Sequence, residues 1–338
     1  MNAALAAGSV TRTAIVVLLA LVLDAVAGDP SVRWHPVRLL GRLAAWMEIR
    51  TRRFFRATKV LRGGSYPGHH GRDPVIVAAG AITWMAVALC ASLTALCLTA
   101  AAGFLHPALG IVTESLVIWV SIAPSDLATH ANRVKRAILR DMAADRPEPI
   151  EGREAVAMIV GRDVSRLDYA GVARACVESV AESSIDGAAA PLFWAVALGP
   201  WAAFAYRAVN TMDSMFGHKD ERYLSFGLVA ARADDVANWL PARLSSAIAC
   251  MLAPVAGGSI GGAFRSYLQW RNAHESPNAG HPEAAYAGVL GLRLGGPASY
   301  AEGVIDKPWM NPDGRKAIPE DISRAVRLMI AQTAISSA

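Results

Sequence analysis

VIVAAGAITWMAVALCASLTALCLTAAAGFL, residues 75–105, runs for about 31 residues without one charged side chain. A helix needs roughly 20 apolar residues to cross the hydrocarbon core of a bilayer, so this run is long enough to span. Gly103 and then His106-Pro107 can turn the chain, and residues 108–123 can return as a second helix with Glu114 near its start. Basic residues flank the pair on both sides. Arg33, Arg38, Arg42, Arg50, Arg52, Arg53, Arg56, Lys59 and Arg62 precede it, and Arg133, Lys135, Arg136 and Arg140 follow. The positive-inside rule places both groups in the cytoplasm, with residues 28–74 as a basic cytoplasmic loop. An earlier apolar run, 14–27, ends at Asp24 and Gly28-Asp29-Pro30 and reads as a retained helix rather than a cleaved signal. If it spans, the N-terminus lies outside.

Composition agrees. Of 338 residues, 54% are hydrophobic and 18% charged, and mean hydropathy is +0.31. A soluble domain carries about 25% charged residues, so the balance favours an integral membrane protein. The net charge of +5 comes with no aromatic platform or nucleic-acid motif, so no nucleic-acid partner is expected. Cys90, Cys97, Cys176 and Cys250 sit in apolar surroundings without metal-ligand spacing and read as buried small hydrophobes.

Beyond residue 125 the chain becomes more polar. Helical periodicity covers 126–142, Pro147 and Pro149 break it, and a further helix starts near Asp168, its N-cap, and runs through Glu182. Few alternating Val/Ile-rich runs occur, so the fold class is all-α, with little sheet. Two later apolar runs are interrupted: 187–206 by Gly199-Pro200, and 244–264 by Pro254 and four glycines. Either both cross the bilayer, or both are re-entrant or buried, which keeps every polar cluster on one face. The expected organisation is an N-terminal membrane region, 1–125, a catalytic helical region, 126–310, and a C-terminal tail or interfacial helix, 311–338.

The apolar background makes the polar residues of 176–243 informative, because ionisable groups are costly where water is scarce. Glu178 and Glu182 lie at i,i+4, and Asp186 extends their stripe. Like charges at that spacing repel, so either Mg²⁺ sits between them or the face is a solvated edge. Arg207, Asn210 and Ser214 form a second stripe, beside Asp213. There the choice is a buried Arg–Asp pair or a guanidinium aimed at phosphate or carboxylate. Arg222 falls in a charged turn, 217–223. Asp234, Asp235 and Asn238 follow, either as oxygen ligands or with one aspartate as an N-cap, and Arg243 lies two turns on from Asp235. Finally, the 276–283 loop carries Ser276, Asn278, His281 and Glu283 ahead of a glycine-rich stretch, 291–296. Its backbone can face an anion, although no P-loop or Rossmann spacing is present.

The order of these motifs resembles the CobD/CbiB family, the adenosylcobinamide-phosphate synthases of cobalamin biosynthesis. The matching residues include Leu23-Asp24, Gly28-Asp29-Pro30, His35-Pro36-Val37, Gly161-Arg162-Asp163 and the segments around Glu178, Glu182, Asp186 and Arg207. Others are Glu221-Arg222-Tyr223, Asp234-Asp235, Asn238-Trp239, Pro241-Ala242-Arg243, Ser276-Pro277-Asn278-Ala279-Gly280 and Pro282-Glu283-Ala284. Three positions depart from the family pattern: Ser183 and Asp220 stand where Asn is usual, and His281 where Trp is common.

The resemblance implies a multi-pass protein of the cytoplasmic membrane with a cytoplasmic active site. It also implies an ATP-dependent ligase that joins adenosylcobyric acid to (R)-1-amino-2-propanol or its O-phosphate. Such a reaction uses ATP and Mg²⁺, and a cytoplasmic nucleotide favours the arrangement with all polar clusters on one face. The expected catalytic residues are Glu178, Glu182, Asp213 and Asp235, with Glu182, Asp186, Asp234 and Asp235 as metal ligands. Arg207, Asn210, Arg222, Asn238, Arg243, Ser276, Asn278 and Glu283 would bind substrate or phosphate. The expected partners are the corrinoid, the amine and the bilayer, with room for a homo-oligomer or a complex with other cobalamin-biosynthesis enzymes. A non-enzymatic AmpE-like membrane sensor would not need so many clustered charges. A prenyl-type transferase using Asp234-Asp235 would want a second Asp-rich motif, which this sequence lacks.

Overall fold

The computed structural model describes residues 2–30, 32–61, 72–300 and 303–336, and the side chains of 11–30, 32–55, 72–297 and 306–336. The chain forms two compact units that are interleaved in sequence. One comprises Met1–Ile122 with Pro191–Ala237, and the other Ala123–Ala190 with Asn238–Ala338.

The first unit is helical. It contains α1 (Asn2–Ala27), α2 (Pro36–Leu61), α3 (Pro74–Leu105), α4 (Pro107–Trp119), most of α8 (Ala190–Leu198), α9 (Pro200–Phe216) and the start of α10 (Leu228–Met251). The charge-free run is α3, and its ends are set by local chemistry. Asp73 Oδ1 accepts from the backbone N–H of Val75, Pro74 takes the first position, and His106 closes α3 while capping α4. The buried face of α3 is a stripe of mostly small residues at every fourth position: Ala79, Thr83, Val87, Ala91 and Ala95. Met85, Leu89, Leu93 and Leu98 point outward and are about half exposed, and Cys90 and Cys97, expected to be buried, are exposed too, unlike the buried Cys176 and Cys250. Small residues toward neighbouring helices and large apolar ones outward is the pattern that packing in lipid favours. Within α3, close packing is strictest at Gly80, where a Cβ would lie 1.9 Å from the carbonyl oxygen of Phe226. By length and composition α3 can cross a membrane, as can the run Pro107–Ala143 that continues from α4.

The basic segment expected as a loop is instead mostly helix α2. Its buried positions Leu40, Ala44, Glu48 and Thr51 recur with helical spacing, and Thr51 Oγ1 lies 2.9 Å from Thr83 Oγ1 of α3. The crowding of arginines hid that period. Arg56, Lys59 and Arg62 lie outside the described side chains.

The second unit contains α5 (Pro124–Ala143), α6 (Ile150–Ala157), α7 (Tyr169–Ser184), α11 (Ile260–Trp270), α12 (Gly280–Leu290) and α13 (Pro319–Ser336), with the latter part of α10. Asp168 caps α7 as expected, accepting from the Gly171 N–H at 2.7 Å. Both expected breaks are present. Gly199 (φ 100°) separates α8 from α9, and a 3₁₀ turn, Ala253–Ala256, with Gly257 in the left-handed region separates α10 from α11. Strand content is small: β1 (Leu294–Gly295) pairs antiparallel with β4 (Trp309–Met310), and β2 (Ala298–Tyr300) with β3 (Gly303–Ile305). The C-terminal segment, expected as a tail or interfacial helix, is a core element. Ile322, Ala325, Leu328 and Met329 of α13 are fully buried, in one cluster with residues of α5, α7 and α12. Its apolar stretch is too short to span but long enough to seal a helical core.

Candidate active site

The expected site residues divide between the two units. In the first, α9 and the start of α10 place Asn210, Asp213, Asp234 and Asp235 together. Asn210 Nδ2 donates to Asp234 Oδ1 at 3.3 Å. Asp213 has its carboxyl pushed up to about 7, by burial first and then by the charges of Asp234 and Asp235, with His218 pulling the other way. Burial also raises Asp235, against the pull of Arg232 at 3.5 Å. Asp234 and Asp235 lie inside α10, past its first turn, so the N-cap alternative does not hold. Asp234 and Asp235 thus raise Asp213, and their oxygen donors are of the kind that suits Mg²⁺, although the three side chains are not gathered into a ready cage. Gly217 makes room for the group, since a Cβ there would lie 2.0 Å from Asp213 Oδ1.

Arg207 sits half-buried on α9. Arg222 is more exposed and is engaged by Glu48, with N···O distances of 3.2 and 3.3 Å. Glu48 is buried and also takes Arg52 at 2.9 Å, while Arg52 stacks over Phe226 at 4.3 Å and donates to the Arg222 carbonyl at 2.8 Å. This network pins the 217–223 turn to α2. Glu48 was missed in the sequence, although it is the one acidic residue in a helix otherwise charged by Arg and Lys.

The second unit holds the remaining residues. Glu178 is buried, and both its oxygens are taken: Oε2 accepts from Arg162 at 2.5 Å and Oε1 from the Gly295 N–H at 2.7 Å. Arg174 adds a third contact at 3.8 Å. A carboxylate so engaged does not fit as a metal ligand. Glu182, one turn on, is exposed. Glu283 is buried and held well above the carboxylate range, by burial first and then by Glu178 and Glu182, against Lys307 and Arg162. Its protonated form is therefore favoured relative to an exposed glutamate. His274 lies 3.9 Å from it, and burial followed by Lys307 pulls that imidazole down. Asp186 sits in a π-helical turn, Ile185–Ala189, a local widening common at functional sites, and accepts from Asn238 Nδ2 at 3.1 Å.

Arg243 spends its donors locally. It donates to the Trp239 carbonyl at 2.6 Å and Asn278 Oδ1 at 3.3 Å, and stacks over the Trp239 ring. Ser276 Oγ accepts from the Asn278 and Ala279 N–H groups, so it shapes the loop entering α12. His281 meets the Tyr267 hydroxyl at 2.9 Å and is pushed down to about 4, by burial and then by Arg243 and Arg271. Among the described residues, no three His, Cys, Asp or Glu side chains form a ready metal cage.

A family model described as CobD/Cbib protein matches residues 17–329. The chain belongs to the CobD/CbiB family. It is 39% identical to the cobalamin biosynthesis protein CobD of Klebsiella pneumoniae, over 95% of this chain and 94% of that protein. It is also 39% identical to CbiB of Salmonella typhimurium, over 92% and 91%, and to CobD of Brucella suis, over 93% and 91%. No solved structure matches the chain. Of the CobD/CbiB motif Gly161-Arg162-Asp163, the structure brings Arg162 to Glu178, a role the sequence did not disclose. Arg174, His274 and Lys307 were missed as well. Their partners are far along the chain or face them only in the folded unit.

Proposed function

We propose that this CobD/CbiB protein is an ATP-dependent amide-forming ligase of the cytoplasmic membrane, joining adenosylcobyric acid to (R)-1-amino-2-propanol or its O-phosphate. The observation that carries this is the 39% identity, across 95% of the chain, to a relative named for cobalamin biosynthesis. A corrinoid substrate agrees with that role. A multi-pass placement is supported by α3, with its inward stripe of small residues and outward leucines.

A carboxylate resists amines until one of its oxygens becomes a leaving group. Bound ATP with Mg²⁺ would supply the phosphoryl group that makes the propionate an acyl phosphate, with ADP departing. The chain's own residues then have three tasks. Asp213, Asp234 and Asp235, with Asn210, would hold Mg²⁺, which relieves their mutual repulsion. Arg207 would offset phosphate charge, while Arg222, held by Glu48, would do so from the ordered 217–223 turn. Amine attack on the acyl carbon expels phosphate and releases a proton. Exposed Glu182 is the base suited to accept it, and Glu283, whose burial favours the protonated form, is suited to donate a hydrogen bond. Asp186, one turn beyond Glu182, and Asn238 orient one another.

The test is ATP consumption by purified protein, with both cobyric acid and aminopropanol phosphate required for it. Asp235→Asn and Glu182→Gln should each nearly abolish that turnover while leaving the protein folded. Near-normal turnover in both variants would refute these roles. ATP consumption indifferent to the two substrates would refute the ligase.

A further inference from the structure

The second unit contains a pocket of about 180 Å³ lined by Asp168, Arg174, Arg293, Trp309, Lys316 and the first turn of α7. Three cations thus face one carboxylate, and that carboxylate already accepts from the Gly171 N–H. The two guanidiniums share a ring: Arg174 lies 4.8 Å and Arg293 5.1 Å from the Trp309 centroid. Several other arginines of this unit end on acids. Arg162 meets Glu178, and Arg315 and Arg324 both meet Asp321. Among the described residues, neither Arg293 nor Lys316 has a carboxylate partner. Holding like charges around one aromatic ring costs free energy, and an anion between them returns it.

The pocket is also rigidly built. Gly295 and Gly296 take φ of 78° and 76°, values that favour glycine. A Cβ at Gly296 would lie 2.4 Å from the Trp309 ring, so bare backbone seats the indole. Gly295 accepts from Arg174 Nη1 at 2.5 Å while its own N–H holds Glu178. The glycine-rich stretch therefore couples the floor of the pocket to the buried glutamate.

We propose that this pocket binds a small phosphoryl oxyanion, gripped by Arg293 and Lys316 with Arg174 behind them against Trp309. Its size suits a phosphate carrying a short chain better than a whole nucleotide. Assigning it to the phosphate of the amine substrate rests on the ligase reading above, whereas the anion site itself does not.

Calorimetric titration of the full chain, in a detergent without phosphate, with inorganic phosphate tests the site. Wild type should bind, and the double variant Arg293→Gln/Lys316→Gln should bind at least about tenfold more weakly at an unchanged melting temperature. Asp168→Asn keeps the cap but removes the opposing charge, so it should bind more tightly. Absence of phosphate binding in wild type, or equal affinity in the double variant, overturns the proposal. In the turnover assay, a rise in KM for aminopropanol phosphate alone assigns the pocket to that substrate. A rise for ATP alone assigns it to the nucleotide's phosphate and overturns the amine assignment. If wild type binds phosphate as described but shows no ligase turnover, the ligase reading fails and the anion site stands.

Discussion

Glu178→Gln separates a structural role for this glutamate from a chemical one. Glu178 is 8% exposed, and its cationic partners Arg162 and Arg174 have side chains only 12% and 13% exposed. Removing one partner of a buried ion pair costs about 3–5 kcal/mol, because the remaining charge is left unpaired. The carboxamide can still accept from the Gly295 N–H, but its NH₂ then meets a guanidinium, donor against donor. Glu283 gains in return, since Glu178 is one of the charges that raises it. The loss therefore falls near the lower end, about 3 kcal/mol. For a unit of this size that is a drop of roughly 6–12 °C in melting temperature. Thermal unfolding of purified protein, followed by near-UV circular dichroism, measures it. The double variant Glu178→Leu/Arg162→Met should recover much of the loss, because an apolar pair leaves less charge buried. A Glu178→Gln melting temperature within about 2 °C of wild type would refute the structural role, and lost turnover at that stability would make Glu178 a direct participant.

Two further outcomes follow from the geometry. Gly217→Ala should push the Asp213 carboxylate aside and cost about 1–3 kcal/mol, the usual range for overpacking, with turnover reduced. Gly41→Ala, whose Cβ would lie 3.6 Å from Met215 Sδ, should be near neutral in the same melting and turnover assays. His281 protonates near 4 in the folded chain and near 6.5 when unfolded, so between those values the unfolded chain binds more protons. Stability should therefore fall as pH drops from 6.5 toward 4, by at most about 3 kcal/mol from this group. His281→Asn should flatten that decline in melting temperature, and an unchanged slope would show that other groups cause it.

Much of the helical framework was legible because its signals are local. The charge-free run of α3, the cap at Asp168, and the breaks at Gly199-Pro200 and Pro254 each depend on a few adjacent residues. Helix α2 was obscured because its arginines dominate a pattern whose period lies in Leu40, Ala44, Glu48 and Thr51. The C-terminal helix looked like a tail, since nothing within it announces the α5 and α7 faces it covers. The site was legible as an inventory of charges but not as a set of pairings. Glu48 with Arg222, and Glu178 with Gly295, meet across more than a hundred residues. A stripe of acids therefore could not show that Glu178 is saturated while Glu182 remains exposed.

The interleaving of the two units has a consequence for how the protein is made. Residues up to Ile122 emerge from the ribosome well before the Pro191–Ala237 segment that completes their unit. At about 5–20 residues per second, the first helices wait roughly 6–23 s for those partners, with part of their packing surface open. No single cut divides the chain into two whole units. A topology reporter fused after residue 125, for example, would sample helices lacking α9 and the start of α10. Insertion within an intact chain is the sounder way to establish which side each turn occupies.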